Sequence, residues 1–321
     1  MTLTTRLTQR LGIEHPILSA PMAFAAGGRL AAAVTAAGGF GVIGGGYGEA
    51  DWLEREFAAA GNARIGCGFI TWSLARHPHV LDGVLAHAPA AIMLSFGDPV
   101  PFSPAIKAAN ALLICQVQTM KHAHEAVAAG ADVVVAQGAE AGGHGSRRAT
   151  FTLVPEIADY LAKTAPQTLL VAAGGIADGR GLAAALMLGA DGVLVGSRLW
   201  ASKEAIVPGP FQQAAIDSDG DATIRTSVVD VVRRKEWPGE FTARVMKNRF
   251  VNDWHGREAA LASAENAERE LDRYARGWQS GDADNTGVFV GEAAGLIHDV
   301  RPAGEIVRGI VAEAERALTR G

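Results

Sequence analysis

Between Pro16 and Val195 the chain repeats one pattern: a short apolar run, a turn containing glycine or proline, then an amphipathic stretch. The apolar runs are Pro16–Ala20, Phe40–Ile43, Arg64–Phe69, Ala91–Phe96, Leu112–Val117, Val133–Ala136, Leu169–Ala172 and Gly192–Val195. Helical periodicity falls between them, over Leu30–Ala37, Asp51–Ala60, Lys121–Ala129, Leu153–Lys163 and Gly179–Leu188. Strands too apolar to alternate, each followed by a helix, predict a parallel sheet covered by helices. An open doubly wound sheet is the rival. Eight units without an obvious edge strand favour an α/β fold of the closed (β/α)8, or TIM-barrel, kind. Gly-Ala-Asp recurs before the sixth and eighth runs, at Gly130–Asp132 and Gly189–Asp191, where glycine ends a helix just ahead of the next strand.

The repeat stops after Trp200. Residues 206–288 carry more charge and three tryptophans, Trp237, Trp254 and Trp278, with helical stretches such as Gly256–Arg276. The amphipathic stretch Ala303–Thr319 then supplies a closing helix. The expected organisation is a barrel over 1–205, completed by 289–321, with a helical insertion or lid over 206–288 after the eighth strand. Such an insertion leaves from the end of a strand and so lies on the face where barrels place their sites.

Composition narrows the classes. A net charge of −5 offers no basic excess for nucleic acid. The N-terminal Met-Thr-Leu-Thr-Thr-Arg-Leu has no apolar leader, and no apolar run reaches the roughly 20 residues of a membrane span. Cys67 and Cys115 sit in apolar stretches and read as buried free thiols of a reducing, cytoplasmic compartment. The state of assembly stays open, homo-oligomers included.

The informative residues follow the strands. Ala172-Ala173-Gly174-Gly175-Ile176 precedes Asp178-Gly179-Arg180 at a helix start, and Gly196-Ser197-Arg198 follows the eighth run. Glycine turns at helix starts expose backbone N–H groups that bind phosphate, and barrels often build a phosphate site from these two loops. The same glycines also serve simply as tight turns. After the sixth run comes Gln137-Gly138-Ala139-Glu140-Ala141-Gly142-Gly143-His144-Gly145-Ser146, which lets backbone approach a planar ligand and projects one imidazole into the mouth. His144 could move a proton or hold an oxyanion; it could equally be an ordinary loop histidine. Glu140 reads as structural, accepting from loop amides. Ala20-Pro21-Met22-Ala23 offers backbone and a thioether at the mouth, although Met22 alone would be core packing. Gln116, Gln118 and Gln137 place amides at strand ends, where a ring ligand or local backbone could take them.

Other signals do not point to a site. Gly39-Phe40-Gly41-Val42-Ile43-Gly44 spells GxGxxG, but its first glycine precedes the strand, so it is no dinucleotide fingerprint. His122 and His124 are two apart on a helix and face different ways, and His77 and His79 have no ligand cluster beside them. No metal is expected. Arg233-Arg234-Lys235 reads as a solvated face, and Trp72, Phe96 and the later tryptophans as pocket lining or core.

Together these strings resemble the nitronate monooxygenase family, once called 2-nitropropane dioxygenases. The likeness rests on Ala20–Ala23, Gln137–His144, Ala173–Arg180 and Gly196–Arg198, and extends to Arg244–Trp254 and Gly291–Pro302. It implies FMN across the barrel mouth, with its phosphate on Gly174, Gly175, Gly196 and Ser197. Its ring would lie near Ala20, Pro21, Met22, Ala23, Gln118, Gln137, Gly142, Gly143 and Ala173, with His144 as the catalytic group on the substrate side. The implied reaction takes a small nitronate or nitroalkane and O2 to a carbonyl compound and nitrite. Relatives often carry asparagine where this chain has Gly68, a contact that would be lost here or supplied by Thr71; Ser197 stands for a common threonine and keeps the hydroxyl. The rival activity is an NAD(P)H-dependent FMN reductase acting on a quinone or enoyl thioester. A non-flavin barrel acting on a sugar phosphate lacks an obvious lysine or carboxylate pair at the strand ends.

Overall fold

The structure is a computed structural model that describes residues 3–319. Met1 and Thr2, at the start of the expected barrel portion, and Arg320 and Gly321, at its end, lie outside the described residues.

All eight apolar runs form strands: β1 (Ile17–Ser19), β2 (Val42–Gly46), β3 (Gly66–Ile70), β4 (Ala91–Ser95), β5 (Leu112–Val117), β6 (Val133–Gln137), β8 (Leu169–Ala173) and β9 (Gly192–Val195). A short strand, β7 (Gly143–Gly145), lies in the loop between β6 and β8. The eight pair in parallel in the order β1-β9-β8-β6-β5-β4-β3-β2. A parallel bridge between Leu18 and Phe40 joins the two ends, so the sheet is a TIM barrel without a free edge.

Alternation along the strands sorts two layers. Met93, Ile114, Val133, Val135, Leu169, Val171 and Leu194 fill the barrel interior. Ile92, Leu113, Val134, Leu170 and Val193 face outward onto the helices. Each strand is therefore apolar on both faces, which is why the sequence shows apolar runs instead of alternation. The repeated Gly-Ala-Asp works at both of its positions. Gly130 and Gly189 take positive φ (73° and 93°), and the two carboxylates accept from the N–H of the second residue of the neighbouring strand, Asp132 from Leu113 at 3.0 Å and Asp191 from Leu170 at 2.9 Å.

Two features were not anticipated, an N-terminal helix and a small second sheet. A helix over Arg6–Leu11, capped by reciprocal hydrogen bonds between Thr5 and Thr8, places buried Leu7 and Leu11 against the barrel-interior cluster as a plug. The segment after β9 has its helices, including Gly209–Ile216, Val228–Val232, Arg249–Trp254 and Ala267–Ser280, but also two strands. These are β10 (Thr223–Thr226) and β11 (Thr242–Met246), which make an antiparallel sheet in the order β10-β11-β7. The helical stretch expected over Gly256–Arg276 is divided into Glu258–Leu261 and Ala267–Ser280. There Ser263 Oγ and Asn266 Nδ2 both donate to the Ala260 carbonyl, at 2.8 and 3.0 Å, taking the acceptor that a continuous helix would use. The final helix, Ala303–Leu318, packs on the helix Gly179–Met187, and Glu313 accepts from the Gly179 N–H at 2.9 Å.

Candidate active site at the barrel mouth

The C-terminal ends of the strands bring the singled-out residues to one rim. Ala20 N donates to the Val195 carbonyl at 3.0 Å, which sets Ala20–Ala23 beside Gly196 and Ser197. Gly174 and Gly175 both take positive φ (99° and 75°). A Cβ on Gly174 would sit 2.9 Å from Thr150 Oγ1 and 3.0 Å from the Gly138 carbonyl, so the β8 loop is packed directly on the β6 loop. Likewise a Cβ on Gly142 would lie 2.5 Å from Gly291 N. Ser197 Oγ accepts from that same Gly291 N–H at 2.9 Å, leaving its own proton to donate. The side chain of Ala173 belongs to the interior cluster, so this residue offers the rim only backbone. Glu140 accepts from Thr150 N and Thr150 Oγ1, at 3.0 and 2.9 Å, and so is the loop brace its sequence context indicated.

Two glutamines form a chain toward the histidine. Gln118 Nε2 donates to Gln137 Oε1 at 2.9 Å, and Gln137 Nε2 donates to the His144 carbonyl at 3.1 Å. Gln118 is only 1% exposed, and its Oε1 has no partner among the described residues. Gly68, where an asparagine was considered, leaves room for Pro21: a Cβ there would be 2.5 Å from Pro21 Cβ. Thr71 Oγ1 is buried and also lacks a partner among the described residues.

His144 lies in β7, paired with Ala243 of β11, so the segment after the barrel fixes its backbone. Two guanidiniums hold the loop: Arg225 Nε and Arg244 Nε both donate to the Ala139 carbonyl, at 3.1 and 3.0 Å. Burial, with Arg244 beside it, pushes Arg225 down to about 10. The His144 Nε2 atom is 2.9 Å from Asp230 Oδ2 and 3.0 Å from Oδ1. Its ring lies flat on the Trp237 indole, with centroids 3.4 Å apart and an interplanar angle of 3°. Burial lowers the His144 pKa below its ordinary 6.5, and the Asp230 carboxylate opposes that shift without cancelling it. With Asp230 accepting from Nε2–H, the neutral imidazole keeps a lone pair on Nδ1.

Asp230 and Trp237 escaped the sequence reading as site residues. The signal for Asp230 is a lone acid inside Val228-Val229-Asp230-Val231-Val232, a position where burial needs a partner. For Trp237 only its residue type pointed that way. The basic run at 233–235 is not simply a solvated face. Arg233 donates to Asp230 at 2.9 Å and lies over the Phe289 ring, and the Lys235 ammonium sits 4.2 Å from the Tyr47 ring centroid. The buried carboxylate and the half-buried aromatic faces draw these cations inward. Cys67 and Cys115 are free and buried, and burial pushes Cys115 up to about 12.

Fold and site together define an α/β-barrel enzyme whose functional groups gather at the C-terminal rim. The family model described as nitronate monooxygenase matches residues 4–64 and 75–313, and the chain belongs to that family. It is a monooxygenase of the oxidoreductase class, in a family named for nitronate oxidation. A nitronate monooxygenase of Neurospora crassa is 33% identical, over 95% of this chain and 90% of its own length. FabK from Thermotoga maritima superimposes with a TM-score of 0.82 at 30% identity, covering 99% of this chain and 98% of that one. A nitroalkane oxidase from Streptomyces ansochromogenes gives 0.80 at 26% identity, covering 96% and 98%. No described helix is long and apolar enough to cross a membrane.

Proposed function

We propose that this protein is an FMN-dependent nitronate monooxygenase that converts an alkyl nitronate and O2 to a carbonyl compound and nitrite. The observation that carries the reading is His144, held neutral at the mouth between Asp230 and Trp237 and joined through Gln137 to the buried, unpartnered oxygen of Gln118. The residues fit FMN. Gln118 Oε1 suits a ring N–H, the glycine turns at Gly174, Gly175 and Gly196 suit a phosphate, and the Ser197 hydroxyl has a proton to give it. Backbone of Ala20, Pro21, Met22, Ala23, Gly142, Gly143 and Ala173 would border the ring, with Gln137 beside Gln118.

Bound there, FMN supplies the electron acceptor and the reaction with oxygen, chemistry that no side chain of this chain provides. The chain's own part is proton handling and positioning. Nδ1 of His144 takes the α-proton of a neutral nitroalkane, and Asp230 stabilises the imidazolium that results. When the nitronate is already ionised, the ring must first take a proton from solvent before it can hold the oxygens. Trp237 and Phe96 keep water from the imidazole, and residues 206–288 act as the lid that carries Asp230 and Trp237.

One comparison favours a second reading. A Mycobacterium tuberculosis relative, 35% identical over 72% of this chain and 65% of its own length, is named as a carboxyl-CoA dehydrogenase. That name favours a thioester substrate, which would lose electrons to bound FMN in a dehydrogenase or gain them from NAD(P)H through FMN in a reductase. The visible spectrum of the purified protein, followed anaerobically on adding a nitronate or NADPH, separates the two. Bleaching by nitronate, with nitrite formed once air is admitted, is the expected result. Bleaching by NADPH alone would move the assignment to the reductase, and a protein that neither carries nor binds FMN would end both readings.

A further inference from the structure

A cavity of about 500 Å³ opens beside the mouth and shares Gln118 and Phe96 with the site described above. It lies against the upper ends of β4 and β5, the start of the helix Met120–Ala128, and the loop around Pro238–Phe241. The helix after β4, Ser103–Ala108, has only six residues, and the upper flank of these strands is left open. The volume falls in the range of small-molecule sites, roughly 300–1,000 Å³.

Its inner wall reaches the site. Gln118 lines it and also holds Gln137. Trp72, Phe96 and Phe241 line it and pack on Trp237, with centroids 5.5, 5.1 and 6.4 Å away, and Trp237 is the ring stacked on His144. Aromatic and aliphatic side chains share the lining with charged and amide groups, and besides Gln118 Oε1 two of its polar atoms are unpartnered among the described residues. Trp72 Nε1 and His122 Nδ1 are buried and have no partner among the described residues. His122 Nε2 lies 3.2 Å from Glu240, so the ring in its neutral form donates there and keeps an acceptor on Nδ1. With Gln118 Oε1 assigned to the FMN ring, the lining keeps one unpartnered donor and one unpartnered acceptor, the complement of a hydroxyl. Asp98, Glu125 and Glu240 face it against the single ammonium of Lys121, which Glu125 already pairs at 3.7 Å. An anionic ligand is disfavoured by this balance.

We infer that this cavity receives the non-reacting part of the substrate, an uncharged arylalkyl group bearing a hydroxyl. The substrate is then a hydroxyarylalkyl nitro compound, larger than a simple nitroalkane; that step rests on the nitronate reading, whereas binding in the cavity does not.

Calorimetric titration of the purified holoprotein with 4-ethylphenol and 4-ethylbenzoate tests it. The phenol should bind, and the carboxylate at least about tenfold more weakly. Val100 is exposed at the rim and Ala128 is exposed on the helix, so Val100→Trp and Ala128→Trp fill the cavity without touching core or catalytic groups. Each should weaken phenol binding by about tenfold or more. In the same variants, kcat/KM for the nitronate of 2-(4-hydroxyphenyl)nitroethane should fall by about tenfold, while that for nitroethane nitronate stays unchanged. If both nitronates are oxidised but the phenol does not bind, or the plugged variants bind it normally, the cavity assignment is overturned and the enzymatic reading survives. If the phenol binds in a plug-sensitive way but no nitronate is oxidised, the site stands and the nitronate reading falls.

Discussion

His144 shows how one side chain's behaviour is set by its neighbours. Burial favours the neutral imidazole, while Asp230 favours the cation, and burial wins, so the pKa lies below 6.5. A base of this kind is ready at neutral pH. With a neutral nitroalkane, kcat/KM should be flat through pH 7 and fall on an acid limb below about 6.5, the unperturbed value. The same shift affects stability: above pH 6.5 the group contributes no pH dependence, and stability is lost as pH falls from there through the lower folded value. Unfolding in urea across pH 5–7 checks the sign. His144→Ala should keep FMN, because the proposed phosphate site is built from backbone, yet lose about 10²–10⁴-fold in turnover of neutral nitroalkane. A markedly smaller loss with preformed nitronate would assign the residue to proton abstraction; equal losses would make it a positioning group. Asp230→Asn should move the acid limb to still lower pH, since the opposing carboxylate charge is gone. An unmoved limb would separate Asp230 from the titration of His144.

Elements decide where the loop carrying His144 stands. The β7–β11 pairing and the two guanidiniums on the Ala139 carbonyl tie the loop after β6 to the segment after β9. Arg225→Met removes the donors to Ala139, Thr242 and Ala141 and leaves buried acceptors short of partners. It should destabilise by about 1–3 kcal/mol in chemical denaturation and lower turnover more than it alters FMN content. Gly68→Asn is the reciprocal test at β3. Its side chain would meet Pro21, so the turn Ala20–Ala23 must shift, at a cost of about 1–3 kcal/mol and with weaker FMN retention. Full retention would mean that the turn moves freely. The strands themselves were legible because each needs only its own apolar run and its own glycine. By contrast Asp230 lies 86 residues from His144, and no local pattern joins positions so far apart.

The whole molecule separates stability from chemistry by placing them at opposite ends of one barrel. The helix Arg6–Leu11 packs Leu7 and Leu11 onto the interior cluster, whereas the glycine loops and His144 stand at the strands' C-terminal ends. Leu7→Ala or Leu11→Ala should therefore cost about 2–5 kcal/mol in urea unfolding while leaving kcat within about twofold at low temperature. A large loss of kcat in a still-folded variant would show that the two ends are coupled. Closure through Leu18 and Phe40 also belongs to this scale, since a ring of strands has no edge to protect and can use strands as short as the three residues of β1.

The amino-acid sequence by itself determined the eight barrel strands, their alternation with helices, the glycine turns at the rim and the position of one histidine among them. These are local properties: hydrophobic period, turn chemistry and helix capping act over a few residues. Only the tertiary structure decided that His144 would meet Asp230 and Trp237, that Arg225 and Arg244 would grip Ala139, and that the segment after β9 would add strands to the loop after β6. Those contacts join distant parts of the chain. Burial and charge pairing select them only once the barrel has brought the parts together.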